Sequence, residues 1–407
     1  MQDIIVEKPY KFVPPHRGNF MPSFIQTFKI TDKYLSYFDG VTSHEVRNVE
    51  RLKESKKQGH GIVLAPNHCR YADPLAMGWI AREAGVHVYA MASWHLFNQG
   101  WVQSFAMRMC GGFSVYREGL DRSSLDTAID AIVEGVRPLV IFPEGTVFRT
   151  NDRIQPLLDG VAFLARSAAR KRKKAGTGKV VIHPIAIKYL FGGNLAETVE
   201  PVLQRLEQRI TWEEPKNEMG LLERIERLSE ALFSLKEIQF LGAAQMGNLQ
   251  ERKYKLIDRL LSPLEVDLLG KVQQDDLLPR IKQLRTKLVP ELTEPDTSEK
   301  RKATIWKQLS EIYVAQMIES YPEGYLDDPT EMRVLETIER LDEDVHDHST
   351  IHRPLHAILE VGEAIEIDPA KPPRGEPDPI MVGLENALLA MLETLSKESK
   401  PFEGKSI

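Results

Sequence analysis

Between Gly61 and Tyr189 the chain alternates short, wholly apolar runs with longer stretches of helical periodicity, and this alternation constrains the fold more than any other feature. GIVLAPN, VHVYAMAS, GGFSVYR, PLVIFPEG and KVVIHPIAIKY have the length and β-branched content of buried strands. DPLAMGWIAREAG, SWHLFNQGWVQSFAMRM, LDRSSLDTAIDAIVEG and LLDGVAFLARSAARK read as the helices between them, several closed by glycine. Strands that alternate with helices and are apolar on both faces predict an α/β architecture with a substantially parallel sheet.

After FGGN the texture changes. From about Leu195 to His348, LLERIERLSEALFSLKEI, KYKLIDRLLSPLEVDLLGKV, LLPRIKQLRTKLVPEL, KRKATIWKQLSEIYVAQMIESY and EMRVLETIERLDEDV place apolar residues three to four apart, as amphipathic helices do. LHAILEVGEAIEI then returns to strand texture, with Val361-Gly362-Glu363 as a turn or bulge, and IMVGLENALLAMLETLSK reads as a last helix. The simplest organisation is one α/β domain interrupted by an all-helical insertion. Its parts are a leader over 1–44, the α/β domain over 45–193, the insertion over 194–350, and the last strands and helix over 351–407.

Charge is divided along the same line. Residues 1–193 hold 26 Lys and Arg against 17 Asp and Glu, a net of +9; the remainder holds 27 against 42, a net of −15, and the two give the chain's −6. A basic half suits an anionic ligand or membrane surface. No nucleic-acid recognition module is recognisable, so no nucleic-acid partner is expected. Two cysteines, Cys69 and Cys110, make no disulfide framework and fit a reducing compartment. The opening MQDIIVEKPYKFVPPHRG lacks the apolar core of a signal peptide. The longest stretch free of Asp, Glu, Lys and Arg, Ala84 to Met107, contains His87, His95, Asn98, Gln99 and Gln103. Those residues are costly at bilayer depth, so membrane contact is expected to be peripheral. Two segments are placed to make it: Arg166–Lys179, with seven basic residues and no acid, and an aromatic stripe of Trp94, Phe97, Trp101 and Phe105 on one predicted helix. The plain alternatives are a solvated helix end and a core-facing stripe.

Chemistry concentrates at four strand ends. The first is Ala65-Pro66-Asn67-His68-Cys69-Arg70-Tyr71-Ala72-Asp73-Pro74, between a strand and a helix. Residues five apart diverge by about 140° on a helix, so His68 is expected in the loop and Asp73 at the helix start, where it would also serve as an N-cap before Pro74. The others are Gly111-Gly112-Phe113-Ser114-Val115-Tyr116-Arg117, Phe142-Pro143-Glu144-Gly145-Thr146, and the proline-containing strand Val181-Ile182-His183-Pro184-Ile185-Ala186-Ile187. The plain alternatives are a polar loop residue for His68 and a mere cap for Asp73, which on that segment alone weigh evenly, and, less favoured, a surface arginine for Arg117 and a turn-stabilising acid for Glu144.

In this order and spacing the four segments resemble the glycerophospholipid acyltransferase family, typified by 1-acylglycerol-3-phosphate acyltransferases, over roughly Glu45–Tyr189. The resemblance implies a mixed, largely parallel sheet flanked by helices, with LHAILEVGEAIEI as the family's final strand pair, displaced by the insertion. It implies transfer of a fatty acyl group from a thioester, acyl-CoA or acyl-acyl carrier protein, to the hydroxyl of a lysophospholipid, 1-acylglycerol-3-phosphate being favoured. His68 would be the general base and Asp73 its orienter, with no metal and no cofactor beyond the co-substrate. Arg117, Glu144, Gly145 and Thr146 would hold the acceptor. Where the family carries Arg after Phe-Pro-Glu-Gly-Thr, this chain has Val147, so Arg149, and with it Arg70, are candidates for the missing phosphate contact. The expected location is the cytoplasmic face of the membrane. A thiol nucleophile at Cys69 is the minor catalytic alternative; a non-catalytic lipid-binding or scaffold protein that keeps the fold is the alternative of another class.

Overall fold

A computed structural model describes residues 7–210, 219–274, 276–319, 321–372 and 375–404. The leader forms two short helices, α1 (Phe20–Thr27) and α2 (Ile30–Phe38), then strand β1 (Val41–Arg47) and helix α3 (Val49–Lys57). The alternating region supplies β2 (Gly61–Pro66), α4 (Asp73–Glu83), β3 (Tyr89–Ser93), α5 (Trp101–Met109), β4 (Gly112–Val115), α6 (Arg122–Glu134), β5 (Leu139–Val140), α7 (Gly160–Ala175) and β6 (Val180–Phe191). Six helices follow: α8 (Leu195–Ile210), α9 (Leu221–Leu241), α10 (Leu249–Leu269), α11 (Leu277–Leu292), α12 (Glu299–Glu319) and α13 (Glu331–His346). Strands β7 (Leu355–Val361) and β8 (Ile365–Glu366) and helix α14 (Pro379–Ser396) complete the order.

The sheet runs β1-β7-β6-β2-β5-β3-β4, with β8 also on β6. Strands β6, β2, β5, β3 and β4 are mutually parallel; β7 and β8 are antiparallel to β6, and β1 is parallel to β7. The sheet is therefore mixed and largely parallel, as expected. Every residue of β2 is buried, and its side chains divide by the two-residue period of a strand. Ile62 and Leu64 enter one core with Ala76, Met77 and Ile80 of α4, whereas Val63 and Ala65 enter the opposite core with α6, α7 and α14. In β6 the same edge pairs first with β8 and then with β7, and Gly362 marks the change, its N–H donating to the Pro184 carbonyl.

The helices between β6 and β7 do two different things. Apolar residues of α8, α13 and the first half of α9 join the core on the α4 face of the sheet. Those of α10, α11 and α12 close a separate core.

Three local expectations are corrected. SWHLFNQGWVQSFAMRM is not one helix: a single 3-10 turn over Trp94–Asn98 ends before Gly100, whose φ of 145° breaks the run, and α5 starts at Trp101. The aromatic stripe is thereby split, with Trp94 and Phe97 buried and Trp101 and Phe105 exposed at 81% and 50%. Strand β1 was not anticipated; its VTSHEVR lacks an apolar run because it is an edge strand, and it crosses the expected 44/45 boundary. Helix α8, with Pro201 inside it, falls within the expected helical insertion.

The basic segment is largely committed to the fold. Arg166 pairs with Asp378, Lys171 with Asp130, and Lys179 with Glu366. Arg170 donates to the Pro369 carbonyl. Buried Arg172 donates to the backbone carbonyls of Val133, Gly59 and Thr177. That leaves Lys173 and Lys174 without a hydrogen bond or ion pair among the described residues.

Candidate active site

Parallel strands aim their C-terminal ends, and the loops that follow, at one edge of the sheet, where open α/β sheets bind their ligands. His68 lies two residues beyond β2, Glu144 four beyond β5 and Arg117 two beyond β4. With strands about 4.8 Å apart, the β2 and β4 ends are separated by roughly 14 Å.

His68 leaves β2 through Asn67, whose side chain continues the ladder: it donates to the Ile187 carbonyl at 3.0 Å and accepts the Ile187 N–H at 2.7 Å. The His68 ring packs on Phe142 with centroids 4.1 Å apart. Its Nδ1 lies 2.9 Å from Asp73 Oδ2. A carboxylate only accepts, so Nδ1 carries the proton and Nε2 presents its lone pair. Nε2 has no partner among the described residues.

Asp73 sits at the first turn of α4, but its carboxylate does not cap the helix as expected. The side chain turns back and closes the loop instead. Oδ2 also accepts the Arg70 N–H at 2.8 Å, and Oδ1 accepts the Tyr189 hydroxyl at 2.7 Å. The Asp73 side chain is fully buried while His68 keeps 13% exposure, so the pair has a fixed inner end and an accessible outer one. Burial and the Asp73 charge push the Tyr189 hydroxyl well above its ordinary pKa, which keeps it a donor. Tyr189 is the site residue that sequence reasoning missed: it was visible only as one more apolar position in a buried strand.

Glu144 was expected among the acceptor-binding residues; the structure assigns its carboxylate to the backbone. Oε1 accepts the His68 N–H at 2.6 Å and Oε2 the Gln155 N–H at 2.8 Å, and the residue is 2% exposed. Burial pushes its carboxyl up to about 8, the two N–H donors pulling the other way and Asp73 adding to the rise. Glu144 thus positions the His68 loop. Gly145 follows with φ of +73°, and a Cβ there would lie 2.7 Å from Leu158 Cδ1, so the turn requires glycine. Thr146 is half-buried, with no hydroxyl partner among the described residues.

The two arginines proposed to replace the motif arginine are taken by helix α13. Arg70 makes two bonds to Glu339, at 2.6 and 3.4 Å, and its guanidinium lies over the Tyr189 ring. Arg149, with φ of 46°, pairs with Glu343 at 2.5 Å and lies 3.6 Å from Glu339. The same helix holds the 148–151 loop, Arg340 donating to the Arg149 carbonyl at 2.6 Å and Glu336 accepting the Asn151 N–H at 3.2 Å. Burial alone would raise the Glu339 carboxyl, but Arg70, His352 and Arg149 outweigh it and hold the group at about 2. Both arginines are therefore docking groups for the insertion, and neither guanidinium is free for a phosphate.

Arg117 differs. It is exposed at the strand end and has no hydrogen-bond or ion-pair partner among the described residues. Desolvation, with the Arg285 charge, lowers it to about 10, so it stays cationic at neutral pH. Cys69 is buried, and burial with the nearby Asp73 charge raises its thiol well above the usual range. It is no thiolate at neutral pH, which removes the nucleophile alternative. Among the described residues no cluster of His, Cys, Asp and Glu is arranged to hold a metal ion, and no helix is long and apolar enough to cross a membrane.

Residues 43–188 match the family model described as Acyltransferase. The matched segment runs from β1 to near the end of β6 and contains His68, Asp73, Arg117 and Glu144. No curated protein matches the chain. Over these residues the chain is similar to that family, and the match supports acyl transfer as its general chemistry.

Proposed function

We propose that the protein transfers a fatty acyl group from a thioester, acyl-CoA or acyl-acyl carrier protein, to the free hydroxyl of a lysophospholipid, with 1-acylglycerol-3-phosphate as the favoured acceptor. The observation that carries this reading is the His68–Asp73 pair at the C-terminal edge of the sheet, with Nε2 accessible and without a partner among the described residues. An alcohol is a poor nucleophile near pH 7 and needs a base. Nε2 takes the acceptor O–H proton as that oxygen attacks the thioester carbonyl, and Asp73 stabilises the imidazolium through Nδ1–H. Collapse of the tetrahedral intermediate breaks the C–S bond, and the departing thiolate takes the proton back from Nε2. The O–C bond replaces the S–C bond, and no acyl-enzyme is needed.

Arg117 offers its planar fork to the acceptor phosphate. Contact with the membrane is peripheral, on its cytoplasmic side, and apolar more than basic. The leader presents Phe20 and Phe24 on α1, Phe28 just beyond its end, and Tyr34, Tyr37 and Phe38 on α2, all exposed, and α5 adds Trp101 and Phe105. An aromatic surface of this kind suits the headgroup–acyl boundary.

The test is direct: purified protein is incubated with acyl-CoA and a panel of lysolipids, and products are identified by mass. The reading expects a diacylated phospholipid, formed fastest from 1-acylglycerol-3-phosphate. No acylated product from any lysolipid, with either thioester donor, would contradict it.

A further inference from the structure

We infer that Arg285, on α11 of the helical insertion, completes an anion site begun by Arg117, so that the insertion helps select an acceptor with a phosphate headgroup. The inference rests on the reading above, in which Arg117 faces the acceptor.

Beyond β4 the chain runs Tyr116-Arg117-Glu118. Glu118 Oε1 accepts from Arg285 Nη2 at 2.5 Å, and the two side chains are only 12% and 20% exposed. This pair joins the separately packed α10–α12 bundle to the loop carrying Arg117, across 167 positions of sequence. The cluster then holds two guanidiniums and one carboxylate. Arg285 takes the ion pair with Glu118, and Arg117 has no hydrogen bond or ion pair among the described residues. Like charges brought near one another are unfavourable unless an anion joins them. Desolvation and then Arg285 lower Arg117, with Glu118 opposing, and burial followed by the charges of both arginines lowers His95 to about 4. His95 is therefore neutral at pH 7, its Nδ1 engaged with Ser93 Oγ at 2.9 Å, and adds no further charge.

Two guanidinium forks match the oxygens of a phosphate monoester. Glu118 holds Arg285 and must yield it, at least in part, to an incoming phosphate. This makes the contribution of Arg285 distinguishable from a mere tie between bundle and core. If the pair only docks the bundle, removing either partner has the same consequence. If Arg285 also binds the headgroup, removing Glu118 frees it for the ligand, and the two substitutions have opposite effects.

The experiment measures binding of a short-chain 1-acylglycerol-3-phosphate and of its dephosphorylated monoacylglycerol counterpart, by calorimetry, to the full chain and to Arg285→Ala, Glu118→Gln and Arg117→Ala. Arg285→Ala is expected to weaken the phosphorylated probe roughly 10- to 100-fold, as loss of a charge-assisted contact does, and to leave the neutral probe unchanged. Glu118→Gln is expected to tighten the phosphorylated probe. Equal weakening by both variants, or no effect of Arg285→Ala, overturns the inference. Should Arg285→Ala fail to fold, Glu118→Gln decides alone, unchanged or weaker binding counting against it. Failure of the underlying reading has a separate signature: Arg117→Ala then leaves the phosphorylated probe unaffected.

Discussion

Replacing Tyr189 by Phe removes one hydroxyl from a fully buried ring and changes nothing else in shape. That hydroxyl is the close donor to Asp73 Oδ1, at 2.7 Å; the remaining neighbour, Cys69 Sγ, is 3.9 Å away and a weak donor. A hydrogen bond to a charged group contributes about 1.5–3 kcal/mol, and Tyr189→Phe is expected to lose stability in that range. A catalytic effect follows from the same loss. Asp73 is held from one side only, by His68 Nδ1 and the Arg70 N–H, so the imidazole is less well aimed. The expected fall in kcat/KM is about tenfold, the lower end of that energy converted at about 1.4 kcal/mol per factor of ten, and it falls on kcat with the acceptor KM little changed. Steady-state kinetics, with a urea midpoint on the same preparation, measures both stability and turnover. A folded Tyr189→Phe protein with unchanged kcat/KM would refute the assignment of Tyr189 as a positioning residue.

Three further outcomes are expected. Arg149→Ala should leave the acceptor KM unchanged and lower stability by about 1–3 kcal/mol, since its guanidinium serves Glu343 and Glu339; a rise in acceptor KM alone would return it to the phosphate site. Glu339, depressed from 4.5 to about 2, contributes stability that is complete above its unfolded value and is lost as pH falls from about 4.5 towards 2. At about 1.4 kcal/mol per pH unit this amounts to about 3 kcal/mol, and Glu339→Gln should flatten that part of the acid-unfolding curve. Vesicle sedimentation should show binding that survives ~0.5 M salt, where screening shortens to a few Å, and that falls when Phe20, Phe28, Trp101 and Phe105 become Ser. Lys173→Gln with Lys174→Gln should change it little; strong loss at high salt would restore the basic segment as the anchor.

What could be read from the sequence was local. The buried runs around Ile62, Phe113, Leu139 and Ile182 announce a parallel sheet because strands covered on both faces need no polar alternation. The five-residue spacing of His68 and Asp73 excludes a shared helix face and so places a loop between them. What could not be read depends on partners far along the chain. Tyr189 reaches Asp73 across 116 positions, and Glu339 reaches Arg70 across 269; periodicity carries no information on such pairs. Arg70 and Arg149 look like free cations near a motif until α13 is seen lying on them. Glu144 looks like a ligand until both its oxygens are found on backbone N–H groups. The break at Gly100 was hidden because apolar spacing continues through it, and only its φ of 145° parts Trp94 from Trp101.

The central claim is that His68 is the base for direct acyl transfer. It is tested most directly by turnover of His68→Ala beside the unchanged protein, using acyl-CoA and 1-acylglycerol-3-phosphate, with folding checked by circular dichroism. The account predicts a loss of at least about 100-fold, the lower end for removal of a general base. A folded His68→Ala protein turning over at near the original rate would contradict it.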